Sequence, residues 1–228
     1  MMMLSKIEID RFLYPANLKE ALHLQKVLAS QIIIRALPQE PACIAAADAS
    51  FLPNRVLAAA CLFSFPELQL IEAATAEAPL RFPYRTGFLS FCEGPAVFQA
   101  LNSLKKKPDL LLLDGQGIAH PRRLGLATFL GLLFELPSIG CAKSLLVGTF
   151  EPPPARAGAF SELRQKGEWL GYVLRSRDRV KPIFISPGHL IDHSTSLKII
   201  ISCLRGYRIP EPLRQAHHLT IKLKELRK

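Results

Sequence analysis

The chain has 228 residues, enough for one globular domain with a sizeable core and too few for two full ones, so we predict a single domain over residues 1–228. Hydrophobic residues make up 49% and charged residues 21% of the chain, which excludes disorder as its main state. The net charge is +10, and residues 151–228 hold 15 Lys/Arg against 7 Asp/Glu. This local basic excess favours a polyanionic partner, either nucleic acid or acidic lipid.

The sequence carries no signal for a membrane or for secretion. Its longest uncharged stretches span about 11 residues, whereas a membrane-spanning helix needs roughly 18. Charged residues at positions 6, 8 and 10 precede any apolar run, so we expect no signal peptide. The five cysteines are an odd number without a Cys-x-x-Cys pair, which is typical of free thiols in a reducing compartment. We therefore predict a cytoplasmic protein without membrane contact.

The first third of the chain predicts one helix and a three-stranded meander. Apolar residues recur at helical spacing over 17–35, with Asn17 at the N-cap position. Three short apolar or β-leaning runs follow at 43–49, 56–64 and 68–76, separated by turns that contain proline. Because tight turns join them, we expect these runs to pair in antiparallel fashion.

The rest of the chain alternates helices with buried strands. We predict a loop at 79–94, followed by Pro95 as the first helical residue before a helix over 96–107. A strand at 110–114, a helix at 124–135 and a strand at 139–142 come next. Beyond a loop at 151–159, we predict a hairpin of strands at 169–175 and 183–185, and helices at 194–204 and 211–226. This order indicates an α/β protein with a mixed sheet of three antiparallel strands and then parallel strands, flanked by helices. The ribonuclease-H-like fold has that order.

Two aspartates stand at the ends of apolar runs. Asp48 ends the run 44–47, and Asp114 ends the run 110–113. A carboxylate at such a position is costly unless it is paired, solvated or bound to a metal ion. Two carboxylates on adjacent strands need a cation, and their oxygens suit Mg²⁺ or Mn²⁺. The alternative is that each aspartate only caps a turn.

Three further residues are candidates for the same site. Glu93 precedes a predicted helix, where it either joins the aspartates or complements the helix N-terminus. Lys143 follows a short strand and is either an active-site cation or a surface lysine. His217 is followed by His218 on the last helix. Since adjacent helical residues point about 100° apart, the two histidines cannot serve one site.

The loop 115–122 has the composition of an anion-binding site. Gly115 and Gly117 allow backbone amides to approach an anion closely. His120 and Arg122 are good donors to phosphate. Since this loop directly follows Asp114, a metal ion and a phosphate group could meet there.

A second loop, at 82–88, is stiffened by Pro83 and carries Tyr84 and Arg85. A loop with an aromatic tip can stack on nucleic-acid bases or wedge between them. The alternative is a hydrophobic loop that folds onto the body of the protein.

Taken in order over roughly residues 15–225, these segments resemble the endonuclease V family of deoxyinosine 3′ endonucleases. The most specific segments are Phe82-Pro83-Tyr84, Gly87-Phe88-Leu89-Ser90-Phe91, Glu93-Gly94-Pro95, Asp114-Gly115-Gln116-Gly117-Ile118-Ala119-His120-Pro121-Arg122, Ala142-Lys143-Ser144, Ser186-Pro187-Gly188-His189, Arg208-Ile209-Pro210-Glu211-Pro212 and Ala216-His217. The resemblance implies a ribonuclease-H-like fold. It also implies a Mg²⁺-dependent DNA-repair endonuclease, in which Mn²⁺ can substitute, that nicks a strand one nucleotide 3′ of deoxyinosine.

The resemblance also implies a role for each candidate residue. Asp48, Asp114 and Glu93 would hold metal ions. Lys143 would steady the attacking water or the developing charge, and His217 would orient water or join the second metal ion. Tyr84 would be the wedge that separates the strands beside the lesion. Further DNA contacts would come from Gly87, Gly115, Gln116, Gly117, His120 and Arg122.

The chain departs from the family pattern at two places. Thr86 stands where the wedge usually has a second proline, and Cys92 stands where an arginine commonly precedes the acid. A second proline would stiffen the wedge. The first departure therefore concerns strand separation and lesion preference and does not touch the metal ligands.

Three alternatives stay open at this point. The same active site could cut inosine-containing RNA, since the resemblance does not reveal the sugar. The chain could bind altered bases without cutting, although the acids and Lys143 argue against this. It could be a metal-dependent hydrolase of small molecules, although the basic excess and the Tyr84 loop argue against that. Because lesion scanning needs no symmetry and the sequence has no heptad pattern, we predict a monomer.

Overall fold

The structure, a computed structural model, describes residues 6–227. Its elements in chain order are α1 (Lys6–Leu13), α2 (Leu18–Ala29), β1 (Cys43–Leu52), β2 (Arg55–Ser64), β3 (Leu70–Pro79), α3 (Leu89–Cys92), α4 (Gly94–Asn102), β4 (Leu110–Asp114), α5 (Leu126–Phe134), β5 (Ser138–Ala142), β6 (Phe160–Gln165), β7 (Glu168–Leu174), β8 (Ile183–His189), α6 (His193–Ser202) and α7 (Glu211–Glu225). Among the described residues, no helix combines the length and the apolar composition that crossing a membrane requires.

The eight strands found within residues 6–227 belong to one mixed sheet, in the order β3-β2-β1-β4-β5-β8-β7-β6. The predicted antiparallel meander is confirmed as β1, β2 and β3, and β4 and β5 run parallel to β1. On the far side, β8, β7 and β6 add antiparallel neighbours. Because β1, β4 and β5 are parallel, residues at their carboxyl ends meet at the same end of the sheet.

The alternating leucines of β4 show that the sheet separates two cores. Leu111 and Leu113 pack in one core with residues of α2, α4 and α5. Leu110 and Leu112 pack in the other core with residues of α6 and α7. All four leucines are fully buried, as expected for a strand that helices cover on both faces. Burial on both faces of the sheet explains why β4 has an uninterrupted apolar sequence.

Helix α7 lies across β1, β2 and β4. Its buried residue Ala216 shares a core with Ala46 of β1 and Cys61 of β2, and all three side chains are small. Small side chains at a contact let the helix approach the sheet closely. The last helix therefore comes close to the middle of β1, where Asp48 lies.

The structure corrects several predicted boundaries. Asn17 is the N-cap of α2, as predicted, but the helix ends at Ala29 and does not reach residue 35. The following segment takes long-range hydrogen bonds instead. The amide of Leu190 donates to the carbonyl oxygen of Ile33, and the Ile33 amide donates to Nδ1 of His189. β-branched isoleucines favour this extended backbone over helix.

Other differences are local. The predicted loop 79–94 contains the short helix α3, and the helix predicted at 96–107 occupies Gly94–Asn102. Helix α1 and edge strand β6 were not predicted. Both are short, at eight and six residues, so a periodic pattern has little room to develop. The hairpin predicted from 169–175 and 183–185 is confirmed as β7 and β8.

Candidate active site

Asp48 and Asp114 lie side by side where the parallel pairing of β1 with β4 ends. The register pairs Ala47 with Leu113, so the two aspartates are the next residues along the ladder. Asp48 is buried, and the side chain of Asp114 is 15% exposed. Since β1 continues to Leu52, Asp48 lies inside a strand, and capping of a turn does not explain its presence.

Two side chains of α7 hold the carboxylate of Asp48. His217 Nδ1 lies 2.9 Å from Asp48 Oδ2, and Thr220 Oγ1 lies 3.0 Å from the same oxygen. Thr220 is fully buried, whereas 47% of the His217 side chain is exposed. The sequence analysis singled out His217 and missed Thr220. The available signal was spacing, because residues three apart lie on the same face of a helix.

Glu93 approaches the aspartates from the junction of α3 and α4. Within residues 6–227 its side chain makes no hydrogen bond that caps α4. Burial raises the pKa of Glu93 well above its usual range, and the charges of Asp48 and Asp114 raise it further, while Lys143 lowers it. Glu93 therefore lies within electrostatic range of both aspartates. We call Asp48, Glu93 and Asp114 the acidic cluster.

Lys143 directly follows β5 and donates a hydrogen bond to Asp114 Oδ2. Partial burial lowers the pKa of Lys143, but attraction to Asp114 and this hydrogen bond outweigh it, so the net shift is upward. Burial raises the pKa of Asp114 to about 6. The charge of Lys143 opposes that shift, and Asp48 adds to it. Arg208 donates to the carbonyl oxygen of Lys143 at 2.7 Å and so fixes the backbone here.

His120 and Arg122 contact the loop that carries Tyr84. His120 Nε2 lies 3.0 Å from the carbonyl oxygen of Gly87, and Arg122 donates to the same oxygen at 2.7 Å. Gln25 of α2 is a third donor, 2.9 Å from that oxygen, and its Oε1 accepts from Arg122 Nε. We call Gln25, His120 and Arg122 the Gly87 anchor. The role of His120 and Arg122 as phosphate donors stays a prediction.

The predicted glycine loop is shaped by a close backbone contact. Gly115 has a φ of +152°, a conformation that side chains rarely adopt. A Cβ on Gly117 would lie only 2.1 Å from the carbonyl oxygen of Pro187. The Gly117 amide donates to Ser186 Oγ at 2.8 Å, so this amide is already engaged within the protein. The two glycines thus let the loop pack directly against β8.

The predicted site residues surround one cleft of about 590 Å³. Tyr84 is the most exposed of them, at 66%, and its ring packs edge-on against Phe51 with 6.0 Å between ring centroids. Gln116 donates from Nε2 to the carbonyl oxygen of Ser144 at 3.0 Å. Every predicted site residue except Gly117 and Arg122 lines the cleft, namely Asp48, Tyr84, Gly87, Glu93, Gly115, Asp114, Gln116, His120, Lys143 and His217.

The acidic cluster has the chemistry of a site for divalent cations. Buried carboxylates that repel one another favour a bound cation, and their hard oxygens suit Mg²⁺ or Mn²⁺. In the part of the chain that the structure describes, no three His, Cys, Asp or Glu side chains form a finished metal site. A positive charge is supplied by Lys143, which bonds Asp114. The donor types fit a divalent cation, and the acidic cluster would hold it.

The fold and this cleft together define a class: an α/β protein with a ribonuclease-H-like mixed sheet and a carboxylate cluster where its parallel strands end. Comparison with known proteins agrees. The family model of Endonuclease V matches residues 26–218. The Endonuclease V of Methanothrix thermoacetophila is 46% identical over 203 residues, which cover 89% of this chain and 90% of that protein.

Two solved structures are similar over most of the chain. The Endonuclease V of Streptomyces avermitilis has a TM-score of 0.88 and 35% identity, and the match covers 94% of this chain and 96% of that one. The Endonuclease V of Ciona intestinalis was solved with a 24mer DNA containing an inosine followed by a ribo-adenosine. It has a TM-score of 0.78 and 27% identity, with 92% and 98% of the chains covered. The chain belongs to the Endonuclease V family and is a nuclease.

Proposed function

We propose that the protein is a DNA-repair endonuclease that nicks a strand one nucleotide 3′ of deoxyinosine by Mg²⁺-dependent hydrolysis, with Mn²⁺ able to substitute. The observation that carries this proposal is the convergence of the acidic cluster and Lys143 in one cleft beside an exposed tyrosine. The inosine-containing DNA bound by the Ciona relative supports the substrate class. The basic excess of residues 151–228 suits a nucleic acid.

Each residue of the cleft has a chemical task in this proposal. Divalent cations, when bound, activate the attacking water and stabilise the leaving 3′ oxygen. The acidic cluster holds them, and His217 and Thr220 keep the carboxylate of Asp48 in one orientation. Lys143 is placed to neutralise charge that develops on the phosphate. Its backbone is fixed by Arg208, so the ammonium group acts from a defined position.

Recognition of the lesion is assigned to the two loops of the cleft. Tyr84 is exposed enough to enter the duplex beside the altered base. Gly87, Gly115 and Gln116 line the cleft into which an extruded base would pass. Hypoxanthine differs from adenine in the hydrogen bonds that its edge offers, so backbone and amide groups of this wall can distinguish the two bases.

A second candidate function is an endoribonuclease that acts on inosine-containing RNA. The observation that favours it is the ribo-adenosine that follows inosine in the DNA bound by the Ciona relative. A non-cutting module for altered bases is a weaker candidate, because a binder has no need of a buried acidic cluster.

We also propose a single domain that acts as a monomer in the cytoplasm. All five cysteines are buried free thiols, and this supports a reducing compartment.

The test is a nicking assay on an end-labelled duplex with one deoxyinosine, with Mg²⁺ or with EDTA. An undamaged duplex and an inosine-containing RNA are run beside it. A Mg²⁺-dependent nick one nucleotide 3′ of deoxyinosine, absent from the undamaged duplex, is the expected result. Cutting of the RNA alone would establish the second candidate. Binding of either substrate without any cutting would overturn both nuclease assignments.

A further inference from the structure

The carbonyl oxygen of Gly87 receives three hydrogen-bond donors from distant parts of the chain. They are Gln25 Nε2 at 2.9 Å, His120 Nε2 at 3.0 Å and Arg122 Nη2 at 2.7 Å. A carbonyl oxygen has two lone pairs, so these three donors use its full capacity to accept and fix the peptide group from three side chains. Gly87 itself has a φ of +79°.

Gln25 links this carbonyl group to the rest of the anchor. It is fully buried on α2, a helix whose other buried residues include Ala21 and Leu28. Its Nε2 donates to Gly87, and its Oε1 accepts from Arg122 Nε. A buried amide is costly unless it is hydrogen-bonded, and here both ends of the amide are used. A glutamine on the apolar face of a helix was the signal that the sequence offered.

A turn of the backbone connects Gly87 to Tyr84, so the position of Gly87 influences the position of Tyr84. The amide of Phe88 donates to the carbonyl oxygen of Arg85 at 3.0 Å, which closes a turn between the anchored glycine and the exposed tyrosine. Gly87 and Tyr84 both line the cleft, whereas Gln25 does not belong to its lining. Gln25 therefore acts on the cleft through the groups that it holds, the peptide group of Gly87 and the guanidinium group of Arg122.

We propose that Gln25 is a positioning residue that sets the geometry of loop 82–88 and thereby aims Tyr84 at the nucleic acid. The proposal rests on the proposed function, because it assumes that Tyr84 enters a strand that contains inosine. It assigns to α2 a part in substrate recognition, although Gln25 lies outside the lining of the cleft.

The test is a double-mutant cycle between Gln25 and Tyr84. Gln25→Leu removes both hydrogen bonds that the Gln25 side chain makes, at similar volume. Gln25→Glu still accepts from Arg122 but cannot donate to Gly87, and it serves if the leucine variant does not fold. Gln99→Leu, at an exposed position of α4, is the matched control for the change of residue type. Thermal unfolding checks that each variant is folded.

Two readouts are used. One is the single-turnover rate of nicking of a deoxyinosine duplex. The other is the fluorescence of a 2-aminopurine placed beside the deoxyinosine, measured in EDTA, which reports unstacking without any cutting. In the protein that keeps Tyr84, Gln25→Leu should lower the nicking rate about tenfold, the size expected for the loss of the hydrogen bond that Gln25 donates to Gly87. It should also reduce the fluorescence increase.

In the Tyr84→Ala background, Gln25→Leu should change both readouts by less than about twofold, since the residue through which it acts is gone. Equal losses in the two backgrounds would overturn the proposal, because they would mean that Gln25 does not act through Tyr84. Unchanged fluorescence in Gln25→Leu would also overturn it. The fluorescence does not depend on cutting, so failure of the proposed nicking and failure of the Gln25 proposal give different results.

Discussion

Buried His120 predicts a loss of stability in acid that is specific to this residue. Burial, together with the charge of Arg122, lowers the pKa of His120 to about 4. Both nitrogen atoms of the neutral His120 ring have hydrogen-bond partners in the folded protein. Nδ1 accepts from the Arg122 amide at 3.2 Å, and Nε2 is hydrogen-bonded to the carbonyl oxygen of Gly87. A second proton would remove the acceptor at Nδ1 and place a positive charge beside a guanidinium.

The sign and size of the effect follow from the two pKa values. The unfolded chain binds a proton at His120 near pH 6.5, and the folded protein does so only near pH 4. Between these values the unfolded state holds more protons, so lowering the pH destabilises the fold. At about 1.4 kcal/mol per pH unit, the loss attributable to His120 is about 3 kcal/mol. It is absent above pH 6.5 and complete below pH 4.

The assay is urea unfolding of the wild type and of His120→Gln in EDTA, from about pH 7.5 to about pH 4. The acidic cluster is the same in both proteins, so the difference between their free energies of unfolding isolates His120. We expect the advantage of the wild type over the variant to shrink by about 3 kcal/mol as the pH falls. A difference that stays constant across this range would refute the reasoning.

Three further predictions concern the active site and its loop. Asp114→Asn should lower nicking more than about 100-fold while circular dichroism stays unchanged, because a ligand of the cation is lost; full activity would remove Asp114 from the site. Thr220→Val should weaken Mn²⁺ binding about tenfold, and Thr220→Ser should restore it, as measured by electron paramagnetic resonance. Equal Mn²⁺ binding in both variants would mean that the Thr220 hydroxyl does not position the carboxylate of Asp48. Gly117→Ala should lower the free energy of unfolding by about 3 kcal/mol, since its methyl group meets a backbone oxygen; an unchanged urea midpoint would contradict the packing argument.

The acidic pair could be anticipated because a carboxylate that ends an apolar run is physically costly. That argument selected Asp48 and Asp114 before their neighbours were known. Their distance from each other depends on the register of β1 and β4, in which Ala47 faces Leu113. The register of two strands follows from the packing of both faces of the sheet and from the loops that connect the strands. It therefore cannot be predicted from local sequence patterns.

The hydrogen bonds of the Gly87 anchor could not be predicted from the sequence. His120 and Arg122 were chosen because their side chains suit phosphate, a property of residue type. The structure places them on a carbonyl oxygen that belongs to a different loop, together with a glutamine from α2. Such contacts join residues more than thirty positions apart, and no periodicity or motif spacing reports them.

The departure at Cys92 leaves a neutral side chain next to Glu93, and positive charge at the cleft comes from other residues. Burial raises the pKa of Cys92 to about 11, so its side chain is a neutral thiol beside Glu93, where the family pattern has a cation. Lys143 is the cation that lowers the pKa of Glu93, and Arg85, next to Tyr84, adds a further positive charge to the lining of the cleft. Under the proposed function, the acidic cluster would therefore depend on bound divalent cations for its charge balance. Arg85 would attract the phosphates of the substrate before Tyr84 reaches the bases.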